Sequence, residues 1–244
     1  MGTIKILGVN ISNTTKEEGL EFIVRGLDKR DKKLSIFTPN PEIIVAAQKD
    51  EAFKKIINTA DLALADGIGV IVAGQMLGKP LKTRITGVDF MLALVETAVK
   101  RGLAVGLLGG GPKIAERTAE CLLRKHPSLK IIFAGEEWLF ASPASGSPRL
   151  NIDILFVALG YPKQERWIYE NLPKIPVRVA MAVGGSFDYI SGEVPQAPLF
   201  MRNLGLEWLF RLIVQPWRIR RQLALADFIY EVLKTRFSRN GGSS

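Results

Sequence analysis

An aspartate that ends an apolar run is the residue of this sequence best placed to do chemistry. Asp66 follows the apolar residues 62–65 and precedes Gly67 and the helical apolar pattern of residues 68–77. Ligands bind beyond the carboxyl ends of parallel strands, so a carboxylate at such a corner can act as a general base. Aspartate is also a common N-cap of a following helix. Both interpretations stay open on this stretch alone.

Four other apolar runs end in similar polar or glycine-rich clusters. These clusters are Thr38 with Asn40, Gly109 with Gly110 and Gly111, Lys163 with Gln164, and Gly184 with Gly185. The carboxyl ends of parallel strands share one edge of a sheet, so we expect all of these groups to meet around Asp66. This convergence predicts a ligand-binding cleft.

The three consecutive glycines allow two interpretations. Backbone amides before a helix can hold a phosphate, or the glycines can form a plain tight turn. A dinucleotide fingerprint fails at its last position, where Ile114 replaces the third glycine, although Glu136 could still serve as the ribose-binding acid. A nucleotide-dependent oxidoreductase is therefore a disfavoured alternative.

The composition argues against metal and cysteine chemistry. Cys121 is the single cysteine and His126 the single histidine, and neither an Asp-x-Asp pair nor a P-loop motif occurs. We therefore expect no metal and no cofactor, and a single cysteine fits a reducing compartment. A bound diphosphate would have to be neutralised by arginine, lysine and helix N-termini, and Arg84 in the loop of residues 79–87 is a candidate.

The elements that must position these residues alternate between strand and helix. Expected strands cover residues 3–9, 34–37, 62–65, 104–108, 130–134, 152–159 and 177–183. Helix starts are indicated by capping-box spacings of Thr14 and Thr15 with Glu17 and Glu18, by Asn40 before Pro41, by Asp50 and by Asp89. The pattern predicts an α/β domain over residues 1–194, with a Rossmann-like, largely parallel sheet and helices on both faces. Residues 141–148 have the composition of an exposed loop.

Residues 195–240 form a basic, amphipathic and helical appendage, followed by a flexible tail at residues 241–244. Of the net charge of +9, residues 195–244 contribute +5, from eight Lys or Arg against three Asp or Glu. On an unbroken helix Arg211, Arg218 and Arg221 fall within about 80° of arc, although Pro216 is expected to kink or restart the helix.

Two interpretations of the appendage remain open. A basic segment with Trp208 and Trp217 is typical of an element that lies in a membrane interface and contacts anionic lipid. The alternative is a terminal helical hairpin packed on the core, with its arginines in water. No apolar run is long enough to span a bilayer, and residues 1–9 fit a strand better than a signal peptide. A non-enzymatic module that binds nucleic acid is disfavoured, because it does not account for the polar strand ends.

Taken together, the motifs resemble a known family. They are Thr38-Pro39-Asn40, Ala65-Asp66-Gly67-Ile68-Gly69, Arg84-x-x-Gly87-x-Asp89, Gly160-x-Pro162-Lys163-Gln164-Glu165, Val183-Gly184-Gly185-Ser186-Phe187-Asp188 and Leu206-Glu207-Trp208-x-x-Arg211. In this order, over about residues 3–235, they resemble the WecG/TagA/CpsF glycosyltransferases. The resemblance implies an inverting, metal-independent bacterial enzyme without a cofactor. It would transfer an N-acetylmannosamine-type sugar from a UDP donor to undecaprenyl-diphosphate-linked N-acetylglucosamine.

The resemblance also implies a place and roles. The enzyme would be cytoplasmic and peripheral on the inner face of the plasma membrane, in the synthesis of the wall teichoic acid linkage unit or a related surface glycan. Asp66 matches the general base, beside Thr38 and Asn40, and Arg84 and Gln164 match other active-site positions. Arg211, Arg218 and Arg221 match arginines that close over the site and touch the membrane. Substrate binding is further expected at Gly67, Gly109, Gly110, Gly184 and Gly185.

Three points stay open within the resemblance. The donor sugar is either N-acetylmannosamine or its uronic acid, and association with further copies of the chain is undecided. The family usually has a helix between the strands at residues 130–134 and 152–159, where this sequence has a short loop rich in Ala, Ser, Pro and Gly. This departure concerns one wall of the nucleotide pocket.

Overall fold

The computed structural model describes residues 2–29, 32–138 and 151–240, without the side chains of residues 203, 218, 220–222, 239 and 240. The predicted loop of residues 141–148, where the family's helix would lie, and the predicted tail of residues 241–244 fall outside the described residues.

The chain begins with a hairpin instead of the single strand expected at residues 3–9. Strands β1 (Gly2–Ile6) and β2 (Val9–Asn13) pair antiparallel in a sheet of their own. The two turn residues both have positive φ, 46° at Leu7 and 80° at Gly8, as a tight two-residue hairpin turn requires. The prediction of a single strand was wrong because Leu7 is an unusual residue for such a turn. Its apolar side chain makes the turn look like part of a continuous apolar strand.

The main sheet is parallel, as predicted. Its strands are β3 (Leu34–Phe37), β4 (Leu62–Ala63), β5 (Ala104–Gly109), β6 (Lys130–Gly135), β7 (Ile152–Ala158) and β8 (Val177–Ala182). They are ordered β4-β3-β8-β7-β5-β6, and every neighbouring pair is parallel. The central strands β7 and β8 are buried at every residue except Asp153 and Arg178, because both faces of these strands are covered.

Helices cover both faces of this sheet. They are α1 (Lys16–Asp28), α2 (Pro41–Lys49), α3 (Glu51–Ile57), α4 (Ile68–Met76), α5 (Gly87–Arg101), α6 (Ile114–Lys125), α7 (Lys163–Asn171) and α8 (Ser186–Ile190). Successive strand residues point to opposite faces, so Leu107 belongs to one apolar core and Leu108 to the other. Helices α1, α5, α6 and α8 bury side chains in the first core, and α2, α3, α4 and α7 in the second.

Most of the predicted helix starts are confirmed. Thr15 and Glu18 form the capping box of α1, and the side chains of Asn40 and Asp50 cap α2 and α3. Helix α5 begins earlier than expected, because its cap is Thr86, whose hydroxyl accepts a hydrogen bond from the Asp89 backbone N–H at 3.2 Å. Asp89 therefore lies inside the first turn, where its carboxylate can take a different partner.

The C-terminal region is helical but broken. It contains α9 (Leu199–Asn203), α10 (Glu207–Val214), a 3-10 turn (Pro216–Arg218) and α11 (Ile219–Asn240). The helix restarts at Pro216, which has no N–H to donate to the preceding turn. The expected break at Pro216 is confirmed, and the arc of three arginines, which holds only for an unbroken helix, does not apply, since Arg211 and Arg221 belong to different helices.

Helix α11 packs on the α/β domain. It lies against α2 and α4, and Phe228 and Val232 are each only 2% exposed within the second core. The interpretation of a terminal helix packed on the core is thus confirmed for this helix. In the described part of the chain, no helix combines the length and apolar character needed to cross a bilayer.

Candidate active site

A cavity of about 590 Å³ lies at the carboxyl edge of the sheet. Its lining includes residues that follow five strands, namely Thr38 and Asn40, Asp66 and Gly67, Gly110 and Gly111, Gln164, and Gly184 and Gly185. The C-terminal region supplies another part of the lining, namely Arg202, Gly205, Glu207, Trp208, Arg211 and Leu225. The predicted convergence of the strand ends is therefore confirmed.

Asp66 does not cap the helix that follows it. Helix α4 begins after Gly67, whose φ is 91°, and no side chain caps its first turn. The Asp66 Oδ2 atom instead accepts a hydrogen bond from the Gly87 N–H at 3.3 Å, at the start of α5. The capping interpretation is wrong, and the carboxylate faces the cavity.

The protein environment raises the pKa of Asp66 above that of an aspartate in water. Burial, the largest effect, raises the pKa of Asp66 to about 7, and the nearby carboxylates of Glu207 and Asp89 act in the same direction. The hydrogen bond from Gly87 and the positive charge of Arg84 oppose this rise. A general base works best when its pKa lies near the working pH. Asp66 therefore has the pKa of a base that functions at neutral pH.

Thr38 and Asn40 both line the cavity, and the Thr38 hydroxyl lies near the Asp66 carboxylate. A Cβ built on Gly87 would lie 3.7 Å from both the Thr38 Oγ1 and the Asp66 Oδ2, so the two oxygens flank one point of the lining. The Asn40 Oδ1 accepts the capping hydrogen bond of Ile43 at 2.9 Å. The side-chain nitrogen is thus the group that Asn40 can offer to a ligand.

Gln164 is held by a pair of hydrogen bonds. Its Oε1 accepts from the Gly184 N–H at 3.0 Å, and its Nε2 donates to the Glu165 Oε1 at 2.7 Å. Glu165 is fully buried, and its Oε2 has no hydrogen-bond partner among the described residues. Burial raises the pKa of Glu165 to about 7.

Glu165 is a functional candidate that the sequence analysis quoted only within a motif. The sequence could have indicated this role, because the spacing of residues 164, 165 and 168 places Glu165 on the same face of α7 as the apolar Ile168. That face is buried, so a glutamate on it needs a special reason.

The glycine-rich turn divides into two parts. Gly110 and Gly111 line the cavity, but Gly109 does not, and a Cβ on Gly109 would lie 2.9 Å from the backbone of Ala158. Substrate binding at Gly109 stays a prediction, and the lack of a side chain at this position lets the chain pass β7. A Cβ on Gly110 would lie 2.8 Å from Ile114, which fills the space of the third fingerprint glycine. Glu136 is not among the described lining residues, so the dinucleotide interpretation gains no support.

Arg84 lies beside the cavity and is not part of its lining. Its Nη1 is 3.0 Å from the Glu207 Oε2, and its Nη2 donates to the backbone carbonyl of Arg202 at 2.8 Å. The role of Arg84 as an active-site residue stays a prediction. Its guanidinium is drawn to a carboxylate of the C-terminal region.

Arg211 and Arg202 are the two arginines of the C-terminal region that line the cavity among the described side chains, and Arg211 belongs to α10. The Arg211 guanidinium is 3.3 Å from the Asp188 Oδ2 and 4.9 Å from the centre of the Tyr189 ring. A Cβ on Gly185 would lie 2.3 Å from the Arg211 Nη2, so this glycine leaves the space that the arginine occupies. The side chains of Arg218 and Arg221 fall outside the described part of the structure, and their roles stay predictions.

Within the described residues, no group of three His, Cys, Asp or Glu side chains is arranged to hold a metal ion. Metal-independent chemistry nevertheless stays a prediction that an experiment must test.

Known proteins resemble this chain over most of its length. The sequence profile described as "Glycosyl transferase WecG/TagA/CpsF family" matches residues 4–242. A Bacillus spizizenii protein is 35% identical over 210 residues, which cover 84% of this chain and 80% of the relative. A Staphylococcus aureus protein is 32% identical over 238 residues, or 96% of this chain and 93% of the relative. Both relatives are named N-acetylglucosaminyldiphosphoundecaprenol N-acetyl-beta-D-mannosaminyltransferase. The chain belongs to the WecG/TagA/CpsF family of glycosyltransferases.

Proposed function

We propose that this chain transfers N-acetylmannosamine from its UDP donor to undecaprenyl-diphosphate-linked N-acetylglucosamine, a step of teichoic acid linkage-unit synthesis. The sugar and the acceptor are those in the names of its relatives. The observation that carries the proposal is Asp66, a carboxylate with a pKa of about 7 in a cavity formed by strand ends and basic residues. Such a group can remove a proton from a sugar hydroxyl at neutral pH.

The proposed reaction is a single displacement with inversion. Asp66 takes the proton of the acceptor hydroxyl while that oxygen forms a bond to the anomeric carbon of the donor sugar. The bond from this carbon to the diphosphate oxygen breaks on the opposite face, and its electron pair leaves with UDP. The Thr38 hydroxyl and the Asn40 side-chain nitrogen would orient the acceptor, because both line the cavity near Asp66.

The leaving diphosphate needs compensating positive charge without a cation. Arg211 lines the cavity from the appendage, as Arg202 does, and Gly110 and Gly111 belong to the same lining. Backbone N–H groups and arginines placed in advance stabilise charge that develops in the transition state. Gln164, fixed by Gly184 and Glu165, adds a rigid polar wall.

The appendage is proposed both to contact the membrane and to cover the site. Its exposed apolar side chains include Leu199 at 72%, Phe200 at 65% and Trp217 at 73% exposure. Together with the net charge of +5 in residues 195–244, they fit a surface that enters the interface of an anionic bilayer. A lipid-linked acceptor stays in the bilayer, so the enzyme would be peripheral on the inner face of the plasma membrane.

A turnover assay tests this function. UDP release is measured with UDP-N-acetylmannosamine and a lipid-diphosphate N-acetylglucosamine acceptor, with and without EDTA. We expect release that needs both substrates and survives EDTA. Release only with the uronic acid donor would change the assigned sugar. Loss of activity in EDTA that Mg²⁺ or Mn²⁺ restores would overturn the metal-independent mechanism.

A further inference from the structure

A small network of charges joins the C-terminal region to the core beside Asp66. The Arg84 Nη1 is 3.0 Å from the Glu207 Oε2, and its Nη2 donates to the Arg202 backbone carbonyl at 2.8 Å. The Arg202 Nη2 is 2.8 Å from the Asp89 Oδ1, and its Nε is 3.7 Å from the Glu207 Oε1. The network therefore ties α9 and α10 to α5 and to the loop before it.

The central pair of this network is more protected from water than an ordinary surface pair. The side chains of Arg84 and Glu207 are 21% and 28% exposed, whereas those of Lys49 and Asp227, which join α2 to α11, are 70% and 52% exposed. Exposed pairs contribute little, because water and salt screen them. Hydrogen-bonded pairs between charged groups are stronger when water is partly excluded.

The backbone confirms how closely this region approaches the core. Gly205, between α9 and α10, has a φ of 72°, and a Cβ there would lie 2.7 Å from the Ile68 Cβ and 3.3 Å from the Arg84 Nη1. Ile68 begins α4, two residues after Asp66. The glycine thus lets the chain enter a space that a side chain would block.

The position of Glu207 determines that of Arg211. The two residues are four positions apart on α10, so they lie on one face of the helix, one turn from each other. The Arg84 contact holds the first turn, and Asp188 and Gly185 receive Arg211 in the cavity. Loss of the first contact would therefore loosen the second.

We infer that Arg84 is a positioning residue, which acts together with Glu207 as a latch that seats α9 and α10 over the cavity. In this role Arg84 places Arg211 without itself touching the donor. The effect on transfer rests on the proposed function, whereas the seating of α9 and α10 does not depend on which reaction the cavity performs.

The seating is tested by hydrogen exchange of the full chain without substrate. Arg84→Gln, Glu207→Gln and the double variant should each speed exchange of the amides in residues 199–214 by at least about tenfold, and the double variant no more than either single one. Lys49→Gln and Asp227→Asn, which break the exposed pair, are the matched controls and should leave these amides unchanged. Amides of β5 and β7 report whether the core stays folded. Unchanged exchange in residues 199–214 of Arg84→Gln would overturn the latch.

Turnover distinguishes a latch from a direct substrate contact. For a latch, Arg84→Gln and Glu207→Gln should each lower kcat by about tenfold or more, and the double variant should be no slower than the worse single variant. If Arg84 instead bound the donor directly, Glu207→Gln would release it and leave transfer equal to or faster than that of the unaltered chain. That result would overturn the inference. An inactive unaltered chain would count against the proposed function alone, and hydrogen exchange would still decide the latch.

Discussion

Two sides of one cavity are built by different means. On the sheet side, the lining residues follow strands whose side chains are almost all buried, such as those of β7 and β8. On the other side, α10 has no buried residue along its described length, and ion pairs of Arg84, Arg202 and Arg211 link this region to the core.

This difference in packing between the sheet side and the α10 side fits two different tasks, one that needs a rigid site and one that needs a segment able to open. A base and the backbone that receives a diphosphate work best when they are fixed in advance, and a buried sheet provides that. Substrates also have to enter, and segments that open are drawn from regions with few buried apolar contacts. We therefore assign the base to the rigid side and closure with charge neutralisation to the side held by ion pairs.

The largest effect on sugar transfer is expected when the C-terminal side of the cavity is removed. A chain truncated after Val194 should still bind UDP but should transfer sugar at least about 100-fold more slowly, the scale of losing a charge-stabilising group. The measurement is transfer to a short, water-soluble acceptor, for which a pure membrane anchor is dispensable. Transfer at the full rate by the truncated chain would contradict the role of this region in closure.

Truncation also removes Phe228 and Val232 from the second core, so a folding defect could imitate this result. Arg211→Ala keeps α11 and should lower transfer to the same soluble acceptor by about tenfold to 100-fold. Arg117→Ala, which breaks an exposed pair with Glu193, is the matched control and should transfer normally. A normal rate for Arg211→Ala would remove this arginine from charge neutralisation.

A smaller effect is expected at the outer surface of the appendage. Trp217→Ala should weaken binding to anionic vesicles by about fivefold or more, because burial of a large apolar side chain contributes about 1.5–3 kcal/mol. Its transfer to the soluble acceptor should not change. Tyr169→Ala removes an exposed aromatic residue of α7 and serves as the control. If the unaltered chain ignores anionic vesicles at low salt, the membrane role is wrong.

The smallest effect is expected on the rigid side, at Glu165. Its folded-state pKa is raised from 4.5 to about 7, so the native state holds a proton that the unfolded state releases between these values. The stability of the unaltered chain should therefore fall as pH rises from about 4.5 to 7, and Glu165→Gln should lose less stability, keeping only the part that comes from Asp66, whose pKa is also raised to about 7. The difference is on the order of 1–3 kcal/mol, and urea unfolding at pH 5 and pH 8 measures it. Equal stability changes in both proteins would contradict a buried, protonated glutamate.

The sequence predicts the rigid side well, because local patterns determine it. Strand β3 matches its predicted bounds, since four residues of strand type run into Asn40 and Pro41, which mark a helix start. The meeting of the strand ends follows from parallel strands alone. The predicted start of α5 at Asp89 was wrong, because Asp89 is a capable cap by residue type and only packing selects Thr86 instead.

The other side was harder to predict, because its contacts join distant parts of the chain. Arg84 and Glu207 are 123 positions apart, and no local pattern indicates their pairing. The sequence indicated the importance of Arg84 in the loop of residues 79–87 but not its partner. The break at Pro216 was expected, yet the paths of the helices after it depend on how α11 packs against α2.

The central claim is that Asp66 is the base of the transfer reaction. The most direct test is the pH dependence of kcat, with both substrates saturating, for the unaltered chain and Asp66→Asn. Burial together with Glu207 and Asp89 outweighs the opposing effects of Arg84 and the Gly87 hydrogen bond on the pKa of Asp66. The rate of the unaltered chain should therefore rise with pH through about 7 and then level off. Asp66→Asn should be at least about 100-fold slower and should lack this rise, whereas near-normal turnover with the same pH profile would contradict the account.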